Sequence, residues 1–80
     1  MKTPRDVSAN DLVKALRSLG YERVRQDGSH IRLTTQQHGE HHITIPNHAS
    51  LRVGTFRSIL KLVAAHHGIT VEQLMLSLEL

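Results

Sequence analysis

The sequence predicts an α+β fold of two layers: a helix, a three-stranded antiparallel sheet, a second helix and a short terminal helix. Three observations predict it. Apolar residues recur at helical spacing in two separate stretches, from Leu12 to Leu19 and from Phe56 to His67. Between them lie three short runs of extended, alternating residues. Asp27-Gly28 marks a tight turn between the first two of those runs. A small antiparallel sheet of this kind gathers its helices on one face and leaves the other face free.

Each element has its own signal. Ser8 followed by Asp11 has the spacing of a capping box, and Leu12, Ala15, Leu16 and Leu19 continue as one apolar stripe until Gly20. Tyr21 to Gln26 and Ser29 to Thr35 form a hairpin. The polar stretch Gln36 to Glu40 turns at Gly39, and His41 to Ile45 alternates as a third strand that Pro46 ends. After the loop Asn47 to Val53, Gly54-Thr55 opens the second helix; Phe56, Ile59, Leu60, Val63 and His67 carry its period, and Gly68 closes it. Thr70 and Gln73 repeat the capping-box spacing before a terminal helix built on Val71, Leu74, Met75 and Leu78. No repeat or linker divides residues 1–80, which are read as one domain. The order of elements is similar to that of double-stranded RNA-binding domains, and order alone does not carry function.

The hairpin sorts the chemistry. With Asp27 and Gly28 as the two loop residues of a type I′ turn, Gln26 faces Ser29, Arg25 faces His30, Val24 faces Ile31 and Arg23 faces Arg32. One face then carries Val24, Ile31 and Leu33, and the other carries Arg23, Arg25, His30 and Arg32. An imidazole among guanidinium groups suits a phosphate held beside a proton-transfer group.

Composition narrows the partners. Lys and Arg number 10 against 7 Asp and Glu, for a formal charge of +3, and 7 histidines come in addition. This balance favours a polyanionic partner. With one Tyr, one Phe and no Trp, a platform that stacks bases on aromatic rings is not expected. Contacts to a nucleic acid would run through phosphate and ribose instead. The absence of cysteine removes disulfides and thiolate metal sites. The start, Met1 to Asp6, lacks the apolar core of a signal peptide, and no apolar run is long enough to cross a bilayer, so a cytoplasmic location and no membrane partner are expected.

Four groups of residues carry a family resemblance: Gly20-Tyr21-Glu22; Arg25-Gln26-Asp27-Gly28-Ser29-His30; Ile43-Thr44-Ile45-Pro46 with His48; and Gly54-Thr55-Phe56-Arg57-Ser58-Ile59-Leu60. In this order and spacing, over roughly Asn10 to Met75, the chain resembles the HicA (YcfA-like) toxin family. The resemblance implies a small RNA-cleaving toxin of a type II toxin-antitoxin system, an mRNA interferase with the double-stranded RNA-binding fold. It also implies a HicB-type antitoxin encoded beside it that covers the active site. The family's catalytic histidine follows Gly-Ser in the second strand, which places that role on His30.

The chemistry of such a site is simple. RNA brings its own nucleophile, the ribose 2′-hydroxyl, so cleavage needs a proton carrier and stabilisation of the phosphorane charge, and no metal or other cofactor is assigned. A histidine titrates in the useful range. Arg23, Arg25 and Arg32 would supply the positive field, and the Ser29 hydroxyl or the amides around Gly28 would orient a phosphate oxygen. Arg57 and Lys61, one turn apart, either extend the phosphate path or form a solvated helix face. His38, His41 and His42 cluster without an ordered carboxylate pair, too weak a pattern to assign zinc. His48 belongs to a loop, and His66 and His67 suit the negative end of the second helix. The same basic surface also fits two other classes: a noncatalytic double-stranded RNA-binding module, or a protein-interaction module docking an acidic partner.

Overall fold

The computed structural model describes residues 7–78, so the reading of the first six residues lies outside the described part. The order is α1 (Ala9–Leu16), a 3₁₀ turn (Arg17–Leu19), β1 (Glu22–Asp27), β2 (His30–Thr35), β3 (His41–Pro46), α2 (Val53–His67) and α3 (Val71–Leu78). This is the predicted α+β arrangement, in the order of a double-stranded RNA-binding domain with a third helix after it.

Local chemistry sets the helix ends. At α1 the Ser8 hydroxyl accepts from the Asp11 amide at 3.0 Å while the Asp11 carboxylate accepts from the Ser8 amide at 3.3 Å, so two otherwise orphan donors are satisfied. Thr70 and Gln73 make the same reciprocal pair before α3, at 2.9 and 3.1 Å. The end of α1 tightens into the 3₁₀ turn and stops at Gly20, whose φ of 82° is left-handed. Gly68 does the same for α2, and its amide bonds back to Ala64 and Ala65.

The sheet has the order β1-β2-β3, both pairs antiparallel. Ile31 and Leu33 of β2 stand beside Ile45 and Ile43 of β3, and all four are buried. They face Leu12 and Leu16 of α1, Phe56, Leu60 and Val63 of α2 and Leu74 of α3, with which they form one core cluster that also holds Tyr21. The helices therefore occupy one side of the sheet, and the β2 residues between Ile31 and Leu33 and on either side are turned to the other.

One detail departs from the predicted hairpin. Asp27 pairs with His30, so the two loop residues are Gly28 and Ser29 rather than Asp27 and Gly28. Only Gly28 has a positive φ, 56°, while Ser29 does not; a positive angle at the first loop residue alone is the type II′ pattern, not type I′. Further along, β1 bulges: Arg25 pairs with Arg32 but Arg23 pairs with Leu33, leaving Val24 unpaired. Val24, expected in the core face, is 57% exposed.

Candidate functional site

The free face of the sheet is laid out in three rows. At the turn end, Asp27, His30 and Pro46 lie side by side on β1, β2 and β3. The next row is Arg25, Arg32 and Thr44, and the third runs from Glu22 through Thr34 to His42. His30, Arg25 and Arg32 are all exposed there. His30 opens the central strand immediately after the turn, so neighbouring strands on both sides fix its backbone. The turn is itself tied down, since the Asn47 amide donates to the Ser29 carbonyl at 2.6 Å. The Gln26 side-chain amide donates to the Gly28 carbonyl at 3.3 Å.

The charges on this face are partly paired. Arg25 Nε lies 3.0 Å from an Asp27 carboxylate oxygen, with both side chains more than half exposed. An exposed pair of this kind contributes about 0–1 kcal/mol, so it can be given up at little cost. Thr34 and His42 share a hydrogen bond at 2.7 Å, and His42 Nε2 lies 3.8 Å from Glu40. Away from the turn end, a shallow groove is lined by Val24, Arg25, Arg32, Thr34, Gln36, Glu40 and His42.

Arg25, His30 and Arg32 thus share a face, as the alternation of the strands requires, with Gly28 and Ser29 at its edge. Arg23 does not join them. The bulge at Val24 moves Arg23 opposite the buried Leu33, and its guanidinium reaches Asn10 of α1 at 3.5 Å. Arg57 stands exposed on α2, in the helix layer rather than on the free face of the sheet. His48 lies in the exposed loop after β3, its carbonyl accepting from the Ala9 amide. Asp27 carries no mark of a site residue in the sequence, although its place opposite His30 follows once the loop is moved by one residue.

The remaining histidines assemble where sequence spacing does not show it. His41 and His42 are adjacent in β3 and point to opposite faces, so they do not converge with His38 on one ion. Among the described residues no group of three or more His, Cys, Asp or Glu is arranged to hold a metal ion. His41 turns inward instead, to bond the Tyr21 hydroxyl at 2.7 Å and to stack on His66 at 4.2 Å between ring centres. His66 Nε2 lies 2.9 and 3.0 Å from the Gln37 and Gly39 carbonyls, so His66 serves the β2–β3 turn rather than the end of its own helix. His67 reaches the same Tyr21 hydroxyl at 3.3 Å. Burial pushes the Tyr21 hydroxyl up to about 12 and lowers His41 and His67 below the usual histidine range, with neighbouring imidazoles adding to both histidine shifts.

The turn offers a direct check on the site's frame. At a φ of 56°, with open space where a side chain would stand, Gly28→Val incurs only the backbone cost of a left-handed β-branched residue. That cost is about 1–2 kcal/mol, read as a drop in melting temperature of roughly 4–8 °C per kcal/mol. An unchanged melting curve would mean that the loop relaxes to another geometry.

Among the described residues no helix is long and apolar enough to cross a membrane. Residues 9–64 match the family described as HicA toxin of bacterial toxin-antitoxin. Neither the curated proteins nor the solved structures provide a match.

Proposed function

The chain belongs to the HicA toxin family of bacterial toxin-antitoxin systems, and on that premise we propose that it is a metal-independent endoribonuclease of the mRNA interferase type, with His30 as its proton carrier. The observation that carries this reading is the place of His30. It follows a braced turn at the start of the central strand, on an open face it shares with Arg25 and Arg32.

The groups have distinct tasks. RNA lies along the free face with a phosphate between the two guanidinium groups, Arg25 having left Asp27 for it. His30 takes the proton of the 2′-hydroxyl as that oxygen bonds to phosphorus. The bond from phosphorus to the 5′-oxygen breaks, and the departing oxygen gains a proton from His30 or from water. Arg25 and Arg32 stabilise the charge of the five-coordinate phosphorus, while the amides at Gly28 and Ser29 and the Ser29 hydroxyl orient a non-bridging oxygen. The products are a 2′,3′-cyclic phosphate and a 5′-hydroxyl. Arg23, whose side chain reaches toward α1, and Arg57, on α2, would meet only RNA that wraps around the sheet edge. The partner is a HicB-type antitoxin that blocks the free face, with carboxylates opposite Arg25 and Arg32. Such a pair acts in the cytoplasm, where mRNA is found.

The mechanism needs no metal, since the nucleophile belongs to the substrate and the charge is met by arginine. Cleavage of a single-stranded RNA is therefore expected to continue at the same rate in excess chelator, with cyclic-phosphate ends identified by mass spectrometry. Loss of cleavage in chelator with rescue by zinc or magnesium would overturn the mechanism. Salt-sensitive RNA binding with no cleavage under any condition would instead favour the noncatalytic RNA-binding module.

A further inference from the structure

We propose that Tyr21 and the imidazoles of His38, His41, His66 and His67 form an acid-released latch, which holds the β2–β3 turn against the end of α2 and opens on mild acidification. Three stretches far apart in the chain meet there: Tyr21 before β1, His38 and His41 on and after the turn, and His66 and His67 in the last turn of α2.

The hydrogen bonds dictate the protonation state. The Tyr21 hydroxyl has one proton to give and stands between His41 Nδ1 at 2.7 Å and His67 Nε2 at 3.3 Å. If it donates to His41, His67 donates to it, and in the reverse case His41 donates to it while it donates to His67. In either orientation one of the two imidazoles must offer a lone pair and so must be neutral. His66 is different, because its Nε2–H donates to the Gln37 and Gly39 carbonyls and keeps those bonds when the ring is charged. The His41 ring lies on it at 4.2 Å and 12° from parallel. Two imidazolium rings cannot hold that stack without repulsion.

Among the described residues, nothing acidic in the cluster relieves the charge. The titratable groups around His41 and His67 are Tyr21 from the segment before β1, His38 from the turn, His42 from β3 and His66 from α2. Glu40, the acid of the turn, has its carboxylate toward His42 on the outer face. Burial already lowers His41 and His67, so the folded state binds fewer protons than the unfolded chain just below the ordinary histidine value. The stabilisation is complete above about pH 6.5 and is lost as pH falls through that value toward the depressed folded ones.

The turn has a reason to leave once released. His38 is held at a φ of 57°, the one positive value outside glycine among the described residues. Such a conformation persists only while its surroundings impose it, and the edge contact of His38 with His67, 5.3 Å between ring centres, is part of that constraint. Gln36, Glu40 and His42 flank this turn and line the groove beside Arg25 and Arg32. Opening the latch therefore loosens that lining, while the β1–β2 hairpin with His30 stays paired.

The test compares amide-exchange protection, corrected for intrinsic rates, and melting temperature at about pH 7.5 and about pH 5.5. Protection of the Gly39 and His41 amides is expected to fall about tenfold or more on acidification while the β1–β2 amides change less. The melting temperature should fall by about 5 °C or more. His66→Gln retains a donor for the turn carbonyls without the charge and should lose at least about half of that acid response, whereas His48→Gln, in the loop after β3, should retain it. Unchanged turn protection in the wild type, or an equal acid response in the two variants, overturns the latch. If His66→Gln fails to fold, the NMR titration of the wild type decides, since His41 and His67 midpoints at or above the ordinary histidine value overturn it as well.

Discussion

Replacement of His30 by alanine is expected to abolish RNA cleavage, and with it any growth arrest on expression, while the fold persists. A positioned acid–base group contributes on the order of 10²–10⁴ in rate, so the residual activity should fall below detection in an ordinary gel assay. The stability cost is small. His30 is exposed and is not part of the buried core, and substitutions at such surface positions change stability by about 0.5 kcal/mol or less. Far-ultraviolet circular dichroism, a thermal melt and cleavage of one RNA by both proteins separate the two effects. Full activity in the variant would remove His30 from the mechanism, and a collapsed melt would make the side chain structural.

The largest stability effect is expected at Gly20, not at the hairpin glycine. A Cβ there would stand 2.7 Å from Thr35 Oγ1 and 2.9 Å from Gln37 Nε2, at a φ of 82°. Gly20→Ala therefore combines a left-handed backbone cost of about 1 kcal/mol with a steric one. The Thr35 hydroxyl cannot easily retreat: Thr35 is 1% exposed, it donates to the Leu19 carbonyl at 2.8 Å and it accepts from the Gln37 amide at 3.1 Å. Displacing it strips two hydrogen bonds in a buried place, each about 1 kcal/mol. The sum is about 3 kcal/mol, which a melt reads as a fall of more than about 10 °C. Gly20→Ala should thus destabilise more than Gly28→Val although it adds the smaller side chain. The opposite ranking would mean that backbone strain in the hairpin outweighs the crowding behind the 3₁₀ turn.

By itself, the sequence determined the order of elements, both capping boxes, the left-handed glycines that end the 3₁₀ turn after α1 and α2 itself, and the face on which His30, Arg25 and Arg32 stand. These follow from local chemistry: a hydroxyl and a carboxylate or amide three residues apart close a helix start wherever they occur, and strand alternation fixes which side chains share a side. Even the misplaced loop left the faces intact. Moving a two-residue turn one position along the chain changes each pairing by two residues, and faces invert only on odd shifts. Asp27-Gly28 as a type I′ loop requires two positive φ angles, whereas Gly28-Ser29 requires only the one glycine supplies, so the second arrangement costs less. Tertiary structure alone decided the rest. The bulge at Val24 has no mark in the sequence, yet it takes Arg23 out of the basic face and gives it to Asn10. The histidines divide in the same way: a side chain's neighbours across the fold depend on where α2 ends against the β2–β3 turn, and no spacing along the chain encodes that His41 will lie on His66 rather than beside His42.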